Sequence, residues 1–248
     1  SPAFSQSFWD VPDSRFSLRV EALKPLFDGD TNTSFSTGVL FFSVRLPLTR
    51  SFVLVGDLPV GHRGYQDDFG VLQGQTAKGN PYLGIEVGGV GRNWWGEVGI
   101  RPTGIPEDRF LVERVGEGVD LDRFEGFVLS SATFVSRVDH LHRLGPRLNI
   151  RARAGVSAVF IGYDDSGITQ LFFDYGVQGE YDAQRYRIIL GFLGRLLTNQ
   201  NDPDLHQFGI SAAYKLGFFE PGATFLVPLG PANGFVDSVF GLSMTVRF

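Results

Sequence analysis

The sequence predicts an all-β chain: a closed antiparallel transmembrane β-barrel of about twelve strands. Three observations carry that prediction. Apolar and polar residues alternate along one segment after another, the polar face repeatedly carries arginine, and the connections between segments alternate between short and long.

Period-two alternation matters because neighbouring residues on a strand point to opposite faces, and a barrel in lipid must be apolar outside. At the C-terminus Phe240, Leu242, Met244, Val246 and Phe248 share one face, with Gly241, Ser243, Thr245 and Arg247 on the other. The same pattern runs through Leu148, Ile150, Ala152 and Ala154 against Asn149, Arg151 and Arg153. It recurs at Leu171, Phe173, Tyr175 and Val177, at Tyr186, Ile188, Leu190 and Phe192, and at Phe208, Ile210, Ala212 and Tyr214. A soluble β-sandwich would put polar residues outside and would not bury arginine on successive strands. An apolar exterior around a polar interior is the membrane arrangement.

Weaker segments at 15–24, 35–47, 51–61, 80–88, 94–102, 126–139 and 218–228 extend the series. Each approaches the roughly 9 to 11 residues that a tilted spanning strand requires. Connections at 47–50, 88–93, 142–146, 182–184 and 217–218 are short, whereas 61–78, 104–125 and 198–205 are longer and mostly acidic. Outer-membrane barrels have short periplasmic turns and longer extracellular loops. Both termini are therefore expected in the periplasm, with residues 14–248 forming the barrel. Residues 1–13 form an N-terminal extension that serves as a tail, a lumenal plug or a periplasmic contact.

Composition agrees with one membrane-embedded domain. The 248 residues hold no cysteine, which suits export through an oxidising periplasm and removes thiolate metal sites. A formal charge of −5 gives no basic face for nucleic acid. The start Ser1-Pro2-Ala3 fits a chain from which a secretory signal has been removed. The expected location is the outer membrane of a Gram-negative-type bacterium, with outer-membrane lipid and lipopolysaccharide as partners. A protein partner could engage the loops or the N-terminal stretch. Trp94 and Trp95, with Trp9 and several tyrosines, suit aromatic girdles at the bilayer interfaces.

The inward-facing charges are the candidate pore lining: Arg19, Glu21, Arg45, Asp57, Glu86, Glu97, Arg101, Arg151, Arg153, Asp174, Glu180, Arg187, Arg195 and Lys215. Unpaired charge away from water costs several kcal/mol, so these groups either line a hydrated path or pair across the lumen and close it. The stretch 108–121 is apolar at Phe110, Leu111 and Val115, unusual for a loop facing water, and is the candidate constriction: a short helix folded over or into the mouth. A strand extension above the membrane is the alternative.

Other motifs lead less far. Asp28-Gly29-Asp30-Thr31-Asn32 opens like a calcium loop, but Thr33 stands where that loop needs glycine and Val39 where it needs glutamate, so a solvated turn is expected. His140 and His142 share a strand face without a third ligand, so no metal is expected there. No cofactor is implied. Ser166, Ser238, His62 and His206 fall near the predicted extracellular side with no spacing that singles out a nucleophile and its base, and no enzyme is expected.

Three motifs, Gly79-Asn80-Pro81-Tyr82-Leu83-Gly84, Gly96-Glu97-Val98-Gly99-Ile100-Arg101 and Asp122-Arg123-Phe124-Glu125, together with the aromatic last strand, resemble the outer-membrane barrels of the phenol-degradation (MetA-pathway) transporter family. The resemblance spans residues 40–248. It implies an outer-membrane barrel with a transport role and carries over no catalytic residue. The expected function is a passive channel or facilitator for small molecules. The rival is a structural or partner-binding barrel within a larger complex, and a lipid-modifying enzyme ranks behind both.

Overall fold

The computed structural model describes residues 8–9, 16–27, 33–66, 72–88, 93–162, 168–198, 204–230 and 236–248. Among the described residues thirteen strands follow one another: β1 (Ser17–Phe27), β2 (Gly38–Pro47), β3 (Phe52–Gln66), β4 (Leu72–Lys78), β5 (Tyr82–Gly88), β6 (Trp94–Arg101), β7 (Ser131–Arg143), β8 (Leu148–Ile161), β9 (Ile168–Asp182), β10 (Tyr186–Leu197), β11 (Leu205–Tyr214), β12 (Phe219–Leu229) and β13 (Val236–Arg247). One helix, α1 (Phe110–Val119), lies between β6 and β7.

Every neighbouring pair is antiparallel, and β1 pairs with β13 from Ser17 opposite Arg247 onward, which closes the sheet on itself. β3 pairs with β5 through Phe52 to Asp57 and with β4 through Val60 to Gln66, so β4 and β5 share one position in the wall. The result is a closed twelve-stranded barrel. Closure leaves no unpaired sheet edge, the condition for strands to cross a bilayer.

Alternation sorts the faces as the sequence requires. Leu190, Leu242, Ile100, Leu83, Phe173 and Val177 project outward and are exposed in the bare chain, while Glu86, Arg101, Arg151, Asp174 and Arg195 project inward and are buried. A surface this apolar is stable only against lipid, which places the barrel in the outer membrane of a Gram-negative-type bacterium. Where the short turns gather, aromatic rings pair on the outside: Trp94 with His140 at 4.0 Å, Phe218 with Phe219 at 4.2 Å and Tyr181 with Tyr186 at 6.0 Å. Trp9 and Trp95 do not join this girdle. Both are buried in the interior, because the alternation that turns Trp94 outward turns Trp95 inward.

Several boundaries differ from the sequence reading, three of them with a consequence for the interior. The connection at 61–78 is largely strand, because β3 continues to Gln66 and returns through β4. β7 starts at Ser131 instead of 126, since residues 124–126 form a 3-10 turn inside the barrel. The wall also breaks between β4 and β5 at Gly79-Asn80-Pro81. Pro81 has no N–H to give a ladder, and a side chain on Gly79 would meet the Gly126 carbonyl oxygen at 2.1 Å. The Asp28–Asn32 motif and Ser166 lie outside the described residues.

The inside and outside assignment is testable in the assembly reaction. Leu190→Arg puts a charge on the lipid face at a cost of about 2–4 kcal/mol near the midplane. Arg187→Ala removes an inward group and leaves its three partners engaged: Glu220 with Arg247 at 2.7 Å, Glu180 with Asn149 at 3.2 Å and Asp182 with Lys215. Refolding into lipid vesicles, followed by the gel shift between folded and heat-unfolded barrel, should show Leu190→Arg failing and Arg187→Ala folding. Equal yields contradict the assignment.

Candidate functional site

Between β6 and β7 the chain turns into the barrel instead of bridging its rim. Val112, Val115 and Val119 recur at helical spacing, which gives α1 one apolar stripe, and all three are fully buried. The stripe packs on the wall: a side chain on Gly61 of β3 would lie 2.4 Å from Val112, and one on Gly118 would lie 2.8 Å from Val236 of β13. Gly116 is required where the helix crosses Phe127, since a Cβ there would fall 1.9 Å from the ring. The helix stops at Asp120, whose backbone is extended, and the chain re-enters β7 through the turn at Phe124–Gly126.

Asn80, in the break between β4 and β5, ties both ends of this segment together. Its Nδ2 donates to the carbonyls of Glu125 at 3.0 Å and Val128 at 2.8 Å, and its Oδ1 accepts from the N–H groups of Gly104 at 2.7 Å and Ile105 at 3.1 Å. An amide has two donors and two acceptor positions, and all are engaged here with no exposure to water.

The segment then meets the charges of the wall. Asp122 accepts from Arg153 at 3.0 Å and from the Phe8 N–H at 2.7 Å, and it pairs with Arg137 at 3.2 Å. Its carbonyl accepts from Arg195 at 3.0 Å and Arg137 at 3.2 Å. Arg195 also binds Glu125. On the other side Arg123 donates to Glu21 at 2.5 Å and Asp120 at 2.7 Å, and its guanidinium lies 3.6 Å from the centre of the Phe41 ring. Burial alone would raise the Asp122 carboxyl, but Arg137, Arg153, Arg195 and the Phe8 N–H outweigh it and hold the group well below the usual carboxylate range.

The N-terminal residues add to this filling. Phe8 and Trp9 are fully buried in contact with the lumenal groups: Arg153 and Arg151 stand 5.4 and 5.6 Å from the Phe8 ring, and the Trp9 carbonyl accepts from Ser211 at 3.0 Å. Beside Trp9, toward the short turns, lies a cavity of about 20 Å³ lined by Arg19, Arg187, Ser211 and Thr224. That is room for about one water.

All fourteen sequence-selected charges lie on the inner face, and most are paired. Arg45 meets Glu86 at 2.6 Å, Arg101 meets Asp57 at 3.3 Å, Arg19 meets Glu21 at 2.8 Å, and Glu97 accepts from the Tyr82 hydroxyl. Arg151 and Arg153 share Asp139, Arg187 meets Glu180 at 3.4 Å, and Lys215 meets Asp182. Of the apolar residues selected at the constriction, Val115 is fully buried and Leu111 half-buried. Phe110 is 54% exposed, because the helix turns its inner stripe through Val112, Val115 and Val119 instead.

The selected set omits Arg137, Asp139, Glu220 and Arg247, although the parity of their strands assigns each to the inner face. It also omits Asp122, Arg123 and Glu125, whose partners include groups on distant strands that leave no local signal, and Asp120, which pairs with Arg123 three residues on. His62 meets two hydroxyl groups. Its Nε2 lies 3.2 Å from Ser36 Oγ and its Nδ1 2.7 Å from Thr76 Oγ1 on the outer face. His206 meets the Tyr175 hydroxyl at 2.8 Å. No group of three metal-ligating side chains occurs among the described residues.

Fold and interior together define an outer-membrane β-barrel whose polar lumen is occupied by its own chain. Among solved structures, an outer membrane channel from Pseudomonas putida F1 superposes with a TM-score of 0.71 at 12% identity, covering 99% of this chain and 100% of that one. The NanC porin gives 0.57 at 8% identity over 94% and 98%, and the KdgM porin 0.56 at 8% over 94% and 99%. At these identities the likeness establishes the fold. No family model and no curated protein matches the sequence.

One titration should loosen α1. Burial, and then the neighbouring Glu113, push the Glu117 carboxyl up to about 8, with Arg114 opposing. A carboxyl raised in the seated helix holds its proton more tightly there than when freed, so the seat is intact at low pH, weakens as pH rises from the ordinary carboxylate range to about 8, and changes little above that. Hydrogen-exchange protection of α1, referred to intrinsic rates at each pH, should fall as pH rises from about 5 to about 8, and Glu117→Gln should flatten that dependence. An unchanged slope in Glu117→Gln assigns the effect to another group.

Proposed function

We propose that this barrel is a passive channel for small polar molecules, described here in its closed conformation. The observation that carries the reading is how the lumen is closed. Asp122, Arg137, Arg153 and Arg195 sit where an open pore would be wet, yet none is more than 4% exposed.

Strand number leaves room for a filler. Barrels of about 8 strands are filled by their own side chains, and those of about 16 leave an aqueous channel. Twelve strands leave a space between these limits, which the segment from β6 to β7 and the Phe8–Trp9 pair occupy. The wall does not need them for its ladders: β6 pairs with β7 directly from Trp94 opposite His140 to Arg101 opposite Thr133. A segment held only by its own contacts can withdraw without breaking the barrel, and the polar inner face then provides the path. The porin and channel folds among the superposed structures support the same reading.

Deletion tests it. Replacing residues 106–127 with a short Gly/Ser linker and removing residues 1–13 should leave a foldable barrel, since changing a surface loop costs little closure entropy. In planar bilayers this variant should give a steady conductance that the parent shows only as rare events. A folded, inserted variant that passes neither ions nor small solutes points instead to a structural barrel.

A further inference from the structure

We infer that Arg137, Arg153 and Arg195 form a binding site for the carboxylate of a small organic acid, occupied in the closed barrel by the chain's own Asp122 and Glu125. The inference rests on the channel reading only in naming that acid as the transported class.

The strands hold these guanidiniums in a fixed array. Asp139 of β7 binds both Arg151 at 2.7 Å and Arg153 at 3.0 Å, while Asp174 of β9 meets both Arg137 and Arg195 at 3.4 Å. Each wall carboxylate is therefore shared by two arginines. Glu97, the register partner of Arg137, is engaged by the Tyr82 hydroxyl; of the neighbouring wall acids Glu86 is paired with Arg45 and Glu180 with Arg187, which leaves Asp139, Asp174 and Glu97 to this array. Four arginines thus face three wall carboxylates, and the wall alone carries an excess of positive charge. Asp122 and Glu125, supplied by the inserted segment, cover it.

A buried array of this kind is selective for what Asp122 presents. Guanidinium groups are planar forks that match a carboxylate's two oxygens, and they remain charged at any working pH. Arg153 and Arg195 have no side-chain exposure, and Arg153 Nη2 has no hydrogen-bond partner among the described residues, so the array still has a donor to offer. When the segment withdraws, those arginines face the lumen with their excess charge uncovered. A neutral isostere has no compensating charge to bring, whereas an organic acid restores the balance that Asp122 provided.

The test replaces the internal carboxylate with an external one. In the full chain, Asp122→Ala opens a space of carboxylate size beside Arg137 and Arg153. Acetate, exchanged for chloride at constant ionic strength, should raise the unfolding midpoint of this variant by several degrees, read by the gel shift of the folded barrel. Acetamide, of the same shape without charge, should not. The parent chain should respond to neither, and adding Arg153→Gln should abolish the acetate response. If Asp122→Ala does not fold in chloride, refolding yield becomes the readout, and recovery in acetate alone supports the site. Equal behaviour in acetate, acetamide and chloride overturns the inference. Acetate rescue with no conductance in the deletion variant would keep the site and remove the channel. Conductance without acetate rescue would do the reverse.

Discussion

Charge inside a closed barrel in a membrane must be hydrated or paired, and the rest of this structure follows from how that requirement is met. Breaking a buried ion pair costs about 3–5 kcal/mol because it strands the partner. The wall alone cannot pair all of its charge, since its arginines crowd around too few carboxylates on β6 to β10. The balance is restored from a segment more than a hundred residues from the N-terminus, and Phe8 then donates its N–H to the same Asp122. Ion pairs hold the end of the segment at Asp122 and Glu125, beside an apolar cluster that takes in Leu121 and Phe127. The valine stripe of α1 sets the angle at which it enters.

Asn80 shows how the wall was adapted to receive this segment. A continuous strand through residues 72–88 would spend its backbone groups on the ladder and leave no room for the Gly126 carbonyl. The Gly79-Asn80-Pro81 break removes a side chain, places an amide and omits an N–H in three consecutive residues. The amide then clips the entrance of the segment at Gly104 and Ile105 to its exit at Glu125 and Val128. A wall strand and an inserted loop are coupled through one side chain with no polar atom left over.

Much of the fold was legible in the sequence because its signal is local. Alternation at Leu148 to Phe160 or Phe240 to Phe248 follows from the pleat, and a single strand suffices to read it. The inward direction of Arg151, Arg153 and Arg195 was legible for the same reason. What each arginine binds was not, because Asp122, Glu125 and Asp174 reach them from other elements, and no spacing in the chain encodes that meeting. The Asp122-Arg123-Phe124-Glu125 motif stands out as a string of residues, yet its meaning lies in four partner strands. The extension of β3 to Gln66 was missed for a different reason: Gly61, Gly64 and Gly74 are turn-like in composition but serve here where neighbours crowd the backbone.

On the function proposed above, the segment from β6 to β7 is a removable closure seated on an arginine array. The chain has no cysteine, so a single engineered disulfide can ask whether removal is what opens it. A Cβ on Gly118 would lie 3.6 Å from that of Val236, inside the ~3.5–4.5 Å range that a disulfide spans. The most direct measurement is the current through the Gly118→Cys, Val236→Cys barrel in a planar bilayer, before and after reduction. Openings absent in the oxidised barrel and restored by reductant are the expected result. Openings of the same size and frequency in both states would contradict it.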